Sequence, residues 1–544
     1  MLVAILLTAV AAFILAYVFY GRFLSKRYEL DDSRLTPSHV SYDGIDRVPA
    51  HKAVLLGHHF SSIAGAAPIV GPIIAGLAFG WLPVVIWIVL GTIFIGGVID
   101  FSALTASIRN NARSIAEIAR QYMSPLAYRL LLAFIWLTLV YVLTVFADLT
   151  ATAFTNDGGV ASSSLMYIAL AILFGLVIYK LKISLFKASV VFIPLVFLAI
   201  WAGQKIPLSS SIIPTIISGD PKKTWALILI IYCFIASTTP VWLLLQPRDY
   251  LSSYLLYASV LSGFIGIIVG GFNIQYPAFT TWNVPNTGTL FPILFITVAC
   301  GACSGFHSIV ASGTSSKQLN KETDGKAIGY GGMILEGVVA VIALTTIVML
   351  PKADALTKEA PLTIYGKGIA NFLSVLGFPE KIGFSFGLLA LSAFILTTLD
   401  TATRLGRYIF EELFNLKRKH WRYLATLATL ALPTIFVLIN LKDAQGNLIP
   451  AWRAIWPVFG ASNQLLAGLV ALVIMVWLHK TGRKMGFIIF PVIFMNIVTI
   501  WALVLLLRQY GFSAVGIIAS ILLLLAIVLI VEVYKTFKKI LTAS

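Results

Sequence analysis

Apolar runs long enough to cross a bilayer recur along the whole chain, and they leave very few folds open. Lipid offers no partner to a free amide or carbonyl, so a crossing must be a helix of ~20 mostly apolar residues or a closed barrel. Such runs lie near residues 1–20, 63–80, 82–105, 127–150, 163–179, 184–203, 224–245, 250–272, 290–312, 329–350, 382–400, 422–440, 455–478, 486–507 and 513–534. They predict an all-α polytopic membrane protein of about fifteen transmembrane helices. A short re-entrant helix is predicted over 361–378. Apolar residues make up 59% of the chain and charged residues 11%, against roughly 25% charged in a soluble domain. Cys233, Cys300 and Cys303 all fall in apolar runs, so no disulfide framework is implied. Residues 1–20 lack a basic leading region and a small-residue cleavage site, and read as a retained anchor.

Topology accounts for the formal charge of +17. With the N-terminus outside, the inner loops and ends are 22–52, 109–129, 180–187, 248, 317–326, 404–422, 480–484 and 535–539. They hold 29 of the 39 lysines and arginines. The excess of inner positive charge selects an outer N-terminus and a cytoplasmic C-terminus, and an odd number of spans agrees. A prokaryotic inner membrane is the expected setting. The charges sit in short loops between spans, which excludes a nucleic-acid surface. No GxxxxGK[ST] phosphate loop occurs, so no ATP-driven pump is signalled. Neither an enzyme, a cofactor nor a metal site is expected.

One span is unlike the rest. Residues 48–77 read VPAHKAVLLGHHFSSIAGAAPIVGPIIAGL, in which Gly65, Pro68, Gly71, Pro72 and Gly76 interrupt an apolar run. Proline removes an amide donor and glycine costs about 1 kcal/mol relative to alanine in a helix. In a membrane such a break survives where the freed backbone faces protein, water, an ion or a ligand, and it points to a transport site. A half-helix N-terminus near 62–67 would offer amides and a positive dipole end to a carboxylate. Ser62, Gly65, Ala66, Ala67 and Pro68 are therefore candidate substrate contacts, and so are Ser237, Thr238 and Thr239, where a second half-helix N-terminus is expected. The seventh span carries IASTTPVW, with Pro240 behind Ser237, Thr238 and Thr239. It lies five helices on, so the two spans run in opposite directions. The pattern is that of a five-plus-five inverted repeat, with breaks at 66–72 and 237–240 facing each other. The plainer reading is two ordinary proline kinks. The expected division is an anchor helix and cytoplasmic loop (1–62), a transport core (63–400) and peripheral helices (401–544), where Pro433 and Pro457 are plain kinks.

Ionisable residues inside spans are costly and point to function. His58 and His59 stand at the mouth of the broken span, and with Asp100 they are candidate proton carriers, because imidazole titrates near neutral pH. Neighbours on a helix point about 100° apart, so one could face a pathway while the other packs. The plainer reading is a pair of polar caps. His307, in CSGFHS, is placed deeper and is assigned to the substrate site. Asp148 lies toward the outer end of the fourth span. Gln246, Arg248 and Asp249 form a QPRDY turn that reads as an inner gate or cap. Glu336 is structural, and Asp400 with Arg404 four residues on reads as a lock on one helix face. The Cys300–Cys303 pair is read as packing in a small-residue stripe. Ser304, Ser308 and Ser312 recur every four residues. Gly65, Ala66, Ser304 and Ser308 are thus an alternative site for sodium.

The chain resembles the carbon starvation protein A family of bacterial and archaeal membrane transporters. The resemblance rests on LDDSRLTPSHVSYDGIDRVPAHKAVLLGHHFSSIAGAAPIVGP, GWLPVVIWIVLGTIFIGGVIDF, PVWLLLQPRDYLSSYL, TLFPILFITVACGACSGFHSIVASGTSSKQLNKETDGKAIGYGGMILE, LTTLDTATRLGRYIF and WRAIWPVFGASNQLLAG, in that order. Arg47 and Cys303 stand where an aromatic and an aliphatic residue are expected. The resemblance implies uptake of peptides or pyruvate coupled to protons, and kinship with transporters of the leucine-transporter fold. The partners expected are a small substrate, a coupling ion and the bilayer. Three classes remain: a proton- or sodium-coupled secondary transporter, a membrane metabolite sensor that moves nothing, and a channel. Two opposed broken helices favour the transporter.

Overall fold

The computed structural model describes residues 2–44, 47–208, 219–240, 242–285, 288–416, 418, 420–442 and 448–541. The regular structure of the described residues is helical, apart from an isolated bridge between Ala50 and Leu319 and two short ribbons in loops, which pair Asn283–Val284 with Gly288–Thr289 and Leu441–Lys442 with Leu448–Ile449. Among the described residues twelve helices are long and apolar enough to cross a membrane, and a thirteenth crossing is formed if the bent pair Lys52–Ile63 and Ala67–Phe79 counts as one. This is an all-α polytopic membrane protein.

Two of the expected spans are helical but differ in kind. Pro221–Thr238 opens on Pro-Lys-Lys, which lowers its apolar content. The ninth is broken into Leu290–Thr297, Ala299–Ala302 and Gly305–Gly313. The second span breaks as expected, but earlier and over a longer helix. Ala64 leaves helical geometry (φ −77°, ψ 61°), and the chain restarts at Ala67 with Pro68 in the first turn, where no amide partner is needed. Pro72 lies inside the second half without ending it.

The expected pairing of breaks is corrected. Pro221–Thr238 runs unbroken, and Ser237–Thr239 is its C-terminal end. The second break lies instead against the ninth. A Cβ on Gly301 would meet Pro68 and Pro72 at 3.6 Å, and one on Gly71 would sit 2.5 Å from the Thr297 carbonyl oxygen. The expected boundaries are corrected too. Lys52–Ile63 is half of the broken span, and Glu380–Leu413 continues past residue 400. Ala451–Lys480, expected at the periphery, is 94% buried over its most apolar window. It packs against Pro125–Asn156, Gly97–Arg109 and Gly305–Gly313. The first helix, by contrast, is 28% buried over its corresponding window.

Loops that the charge pattern allots to one side do meet. Glu322 accepts from the Asp31 amide at 2.7 Å and pairs with Arg109 and Arg34. Thr36 and Ser38 donate to the Leu319 carbonyl at 2.6 and 2.8 Å. Lys52 pairs with Asp324 at 3.5 Å, and Arg483 donates to the Tyr28 carbonyl at 2.8 Å. These contacts form one polar cap over a single end of the bundle.

Candidate functional site

The broken second span stands between two buried charge clusters; His58 belongs to the first, and His59 lies within electrostatic reach of the second. His58 Nδ1–H donates to Asp249 Oδ2 at 2.8 Å. Arg248 Nη2 donates to Asp249 Oδ1 at 3.2 Å, and Arg248 Nη1 reaches both Asp400 Oδ2 and the Tyr232 hydroxyl, the latter at 2.6 Å. Tyr232 donates to Asp400 at 2.8 Å, and the Tyr167 hydroxyl donates to the Arg248 carbonyl. One cation thus faces two carboxylates, one of which also holds an imidazole, all shielded from solvent. Such groups persist in a low-dielectric interior because each has a partner.

These contacts revise three expectations. The QPRDY segment lies in the opening turns of the helix Leu245–Gly270, so Arg248 and Asp249 are buried helical residues and not a turn between spans. Asp400 lies within Glu380–Leu413 and pairs with Arg248, not with Arg404. Arg404 instead donates to the Ala236 and Thr239 carbonyls at 2.9 and 2.6 Å, and Arg407 donates to the Ser237 carbonyl at 2.9 Å. The two cations cap the negative end of Pro221–Thr238. Ser237, Thr238 and Thr239 therefore present a helix C-terminus, not the amide end that would receive a carboxylate. The Ser237 hydroxyl is buried without a partner.

The second cluster unites Asp100, His307 and Glu336, all fully buried. His307 Nδ1–H donates to Asp100 at 3.0 Å, and Glu336 Oε2 lies 3.0 Å from His307 Nε2. Neither Glu336 oxygen is aligned for a hydrogen bond, whereas the Asp100 contact is. Asp100, expected to act with His58 and His59, has His307 as its direct partner. His59 shares a 2.8 Å hydrogen bond with Ser315 Oγ, and its Nε2 has no partner. His59 lies within electrostatic reach of both His58 and His307.

At the break itself, Ser62 offers its carbonyl to the Thr398 hydroxyl at 3.3 Å, while its own hydroxyl is unpartnered. A Cβ on Gly65 would lie 2.7 Å from the Phe146 ring and 2.9 Å from Thr398 Oγ1. Phe146 and Thr398 therefore close over the break. The ninth span is held open by Asn463, which accepts from the Phe306 amide at 2.9 Å and donates to Ser304 Oγ at 3.0 Å and Cys300 Sγ at 2.9 Å. Ser304 precedes the helix in extended backbone, so it leaves the face that Ser308 and Ser312 share. The Ser308 hydroxyl has no partner, and Ser312 accepts from the Ile115 amide at 3.3 Å. Asn463 and Tyr232 were not foreseen. The SNQ triplet inside an apolar helix was a usable signal for Asn463, whereas Tyr232 in an apolar run gave none.

Two neighbouring cavities share Gly313, Lys317 and Tyr408. The larger, of about 150 Å³, adds Arg47, Glu117 and Glu412. The smaller brings in Gln246 and Arg404. Gln246 accepts from the Tyr179 hydroxyl at 2.6 Å.

Comparison with known proteins decides the family. The model of the family described as carbon starvation protein CstA matches residues 1–367 and 353–502. The chain belongs to the carbon starvation protein CstA family. A peptide transporter CstA of Helicobacter pylori strain J99 is 32% identical over 537 residues, covering 87% of this chain and 77% of that protein. The Bacillus subtilis CstA is 30% identical, covering 98% of this chain and 96% of its own length. The pyruvate/proton symporter BtsT of Escherichia coli is 28% identical over 585 residues, covering 92% and 81%. A crystal structure of a manganese transporter from Eremococcus coleocola aligns at 14% identity with a TM-score of 0.47, covering 91% of this chain and 99% of that one. CstA relatives are named as transporters and not as enzymes, in keeping with a site built of paired charges around broken helices.

Proposed function

We propose that the protein is a secondary active transporter that imports a small carboxylate or short peptide together with a proton. The observation that carries this reading is the break at Ala64–Ala66, set between two buried charge clusters, with His58 bonded into the first and His59, held by Ser315, within electrostatic reach of the second. Ser62, Gly65, Ala66, Ala67 and Pro68 would receive the substrate carboxylate at the N-terminal, positive end of Ala67–Phe79, where the bonds of the first turn begin only at the Ile69 and Val70 amides, both on the Ala66 carbonyl. His307 stands on the neighbouring broken span. His58, His59 and Asp100 lie among groups that can exchange protons. The relatives' names support the two substrate classes and, for one of them, the proton. Gln246, Arg248, Asp249, Asp400 and Arg404 would hold or release the gate.

The same residues allow a sodium reading, favoured by the unpartnered Ser308 hydroxyl near the breaks. Proteoliposomes loaded by a proton gradient or a sodium gradient, each imposed alone, separate the two. If His58→Ala and His59→Ala both keep full proton-driven uptake, the histidines have no part in coupling. We propose an inner membrane of a prokaryote as the setting, with the polar cap on the cytoplasmic side.

A further inference from the structure

We infer that Glu336 is the group that binds and releases the transported proton, with Asp100 and His307 as a fixed pair beside it and His59 as the relay to the break. The inference rests on the proton-coupled reading above. Its starting point is a difference between two carboxylates on one imidazole. Asp100 receives an aligned hydrogen bond from His307 Nδ1. A carboxylate and an imidazolium joined in this way are together neutral. Glu336 approaches Nε2 at the same distance, 3.0 Å, but neither of its oxygens accepts a hydrogen bond. Ionised, it would be a second buried negative charge without an aligned donor, which a membrane interior strongly disfavours. Protonated, it is neutral and carries its own donor.

Among the described residues, the ion pairs of the cluster bring in no other counter-charge. The titratable groups within reach of the cluster are Asp100, His307 and His59, together with the Cys300 and Cys303 thiols. Among the described residues, the ion pair given for Glu336 is with His307 alone. A metal ion is a poor substitute, because the His307 ring stands between the two carboxylates and keeps them from converging. No group of three or more His, Cys, Asp or Glu among the described residues could hold one.

His59 stands on the side of the cluster that faces the broken span. Gly332 is one helical turn before Glu336, on the same face. A Cβ there would lie 2.9 Å from the His59 ring, so the glycine gives that ring its place beside the Glu336 face. His59 Nε2 is buried and unpartnered. The carriers of the cluster are also irregular helices. A π-helical turn, Thr92–Gly96, precedes the helix of Asp100; another, Lys326–Tyr330, precedes that of Glu336; and His307 follows the break at Cys303–Ser304. Single π turns recur at functional sites. Here they let protonation of one carboxyl bias how three helices sit together.

The test uses the full chain reconstituted in lipid, with infrared titration of the carboxylic-acid C=O band and transport of labelled pyruvate and a labelled dipeptide. Glu336→Gln should lose a titrating band that the unaltered protein shows. It should also lose proton-driven accumulation while keeping substrate counterflow, which needs no net proton movement. Glu336→Asp should keep a titrating band and accumulation, both with a shifted pH midpoint. A band unchanged in Glu336→Gln, or accumulation equal to that of the unaltered protein, overturns the inference. If Glu336→Gln does not fold, an unshifted pH midpoint in Glu336→Asp does the same. Absence of proton-driven uptake in the unaltered protein would instead defeat the coupling reading, and the band would still report whether Glu336 titrates.

Discussion

Gly65 has no room for a methyl group. The Phe146 ring and the Thr398 hydroxyl would both lie under 3 Å from it, and overpacking of this kind costs about 1–3 kcal/mol. Gly65→Ala should lower thermal stability in detergent and slow uptake, and Phe146→Leu in the same chain should restore part of both. Full stability in the single variant would mean that the break is looser than its packing indicates. The Arg248 guanidinium poses the opposite problem. It faces Asp249 and Asp400 with no solvent, and removing one partner of a buried pair costs about 3–5 kcal/mol. Arg248→Ala should be strongly destabilised, and adding Asp400→Asn should recover a measurable share, as a double-mutant cycle would show. In the sequence Arg248 and Asp249 read as a turn between spans, and of these residues only Asp400 was legible within an apolar run. Their pairing was not. Asp400–Arg404 had the better local spacing, yet Arg248, far away in the chain, took the aspartate, and Arg404 turned to open carbonyls.

Helices show the same limit on what local sequence can say. The second break was legible because proline and glycine announce it within a few residues. The ninth break carries no proline at its opening, between Val298 and Ser304. Its freed backbone is satisfied by Asn463, 157 residues beyond Phe306. Nothing within the run itself records that partner. Asn463→Ala should leave the Phe306 amide and Ser304 without their partner, at a cost of about 1–3 kcal/mol. Hydrogen exchange should rise over 298–310 and not over the second span. Uniform exchange across both spans would deny Asn463 that local role. The seventh span failed for a different reason. Pro240 does mark an end of helix, but the sequence does not say that two arginines wait to cap it. Ser237–Thr239 therefore looked like an opening into a span when it is a helix terminus.

For the whole molecule, a membrane fold of many helices followed directly from run length and composition, and the polar cap joins loops that the charge pattern had placed together. The central position of Ala451–Lys480 did not follow, because an apolar helix reads alike whether lipid or protein surrounds it. The two breaks lie side by side between the clusters, so loading a proton and opening the substrate path would draw on the same helices. Uptake measured at one interior pH should therefore rise as the outside is acidified, and Glu336→Gln should flatten that dependence. The most direct test of proton-coupled import is accumulation in sodium-free proteoliposomes under an inward proton gradient, with labelled pyruvate and labelled dipeptide tried separately. Accumulation of one of them above equilibrium, abolished by a protonophore and absent under a sodium gradient at uniform pH, is the predicted result. Accumulation driven by sodium alone, or flux of both that only ever runs downhill, would contradict it.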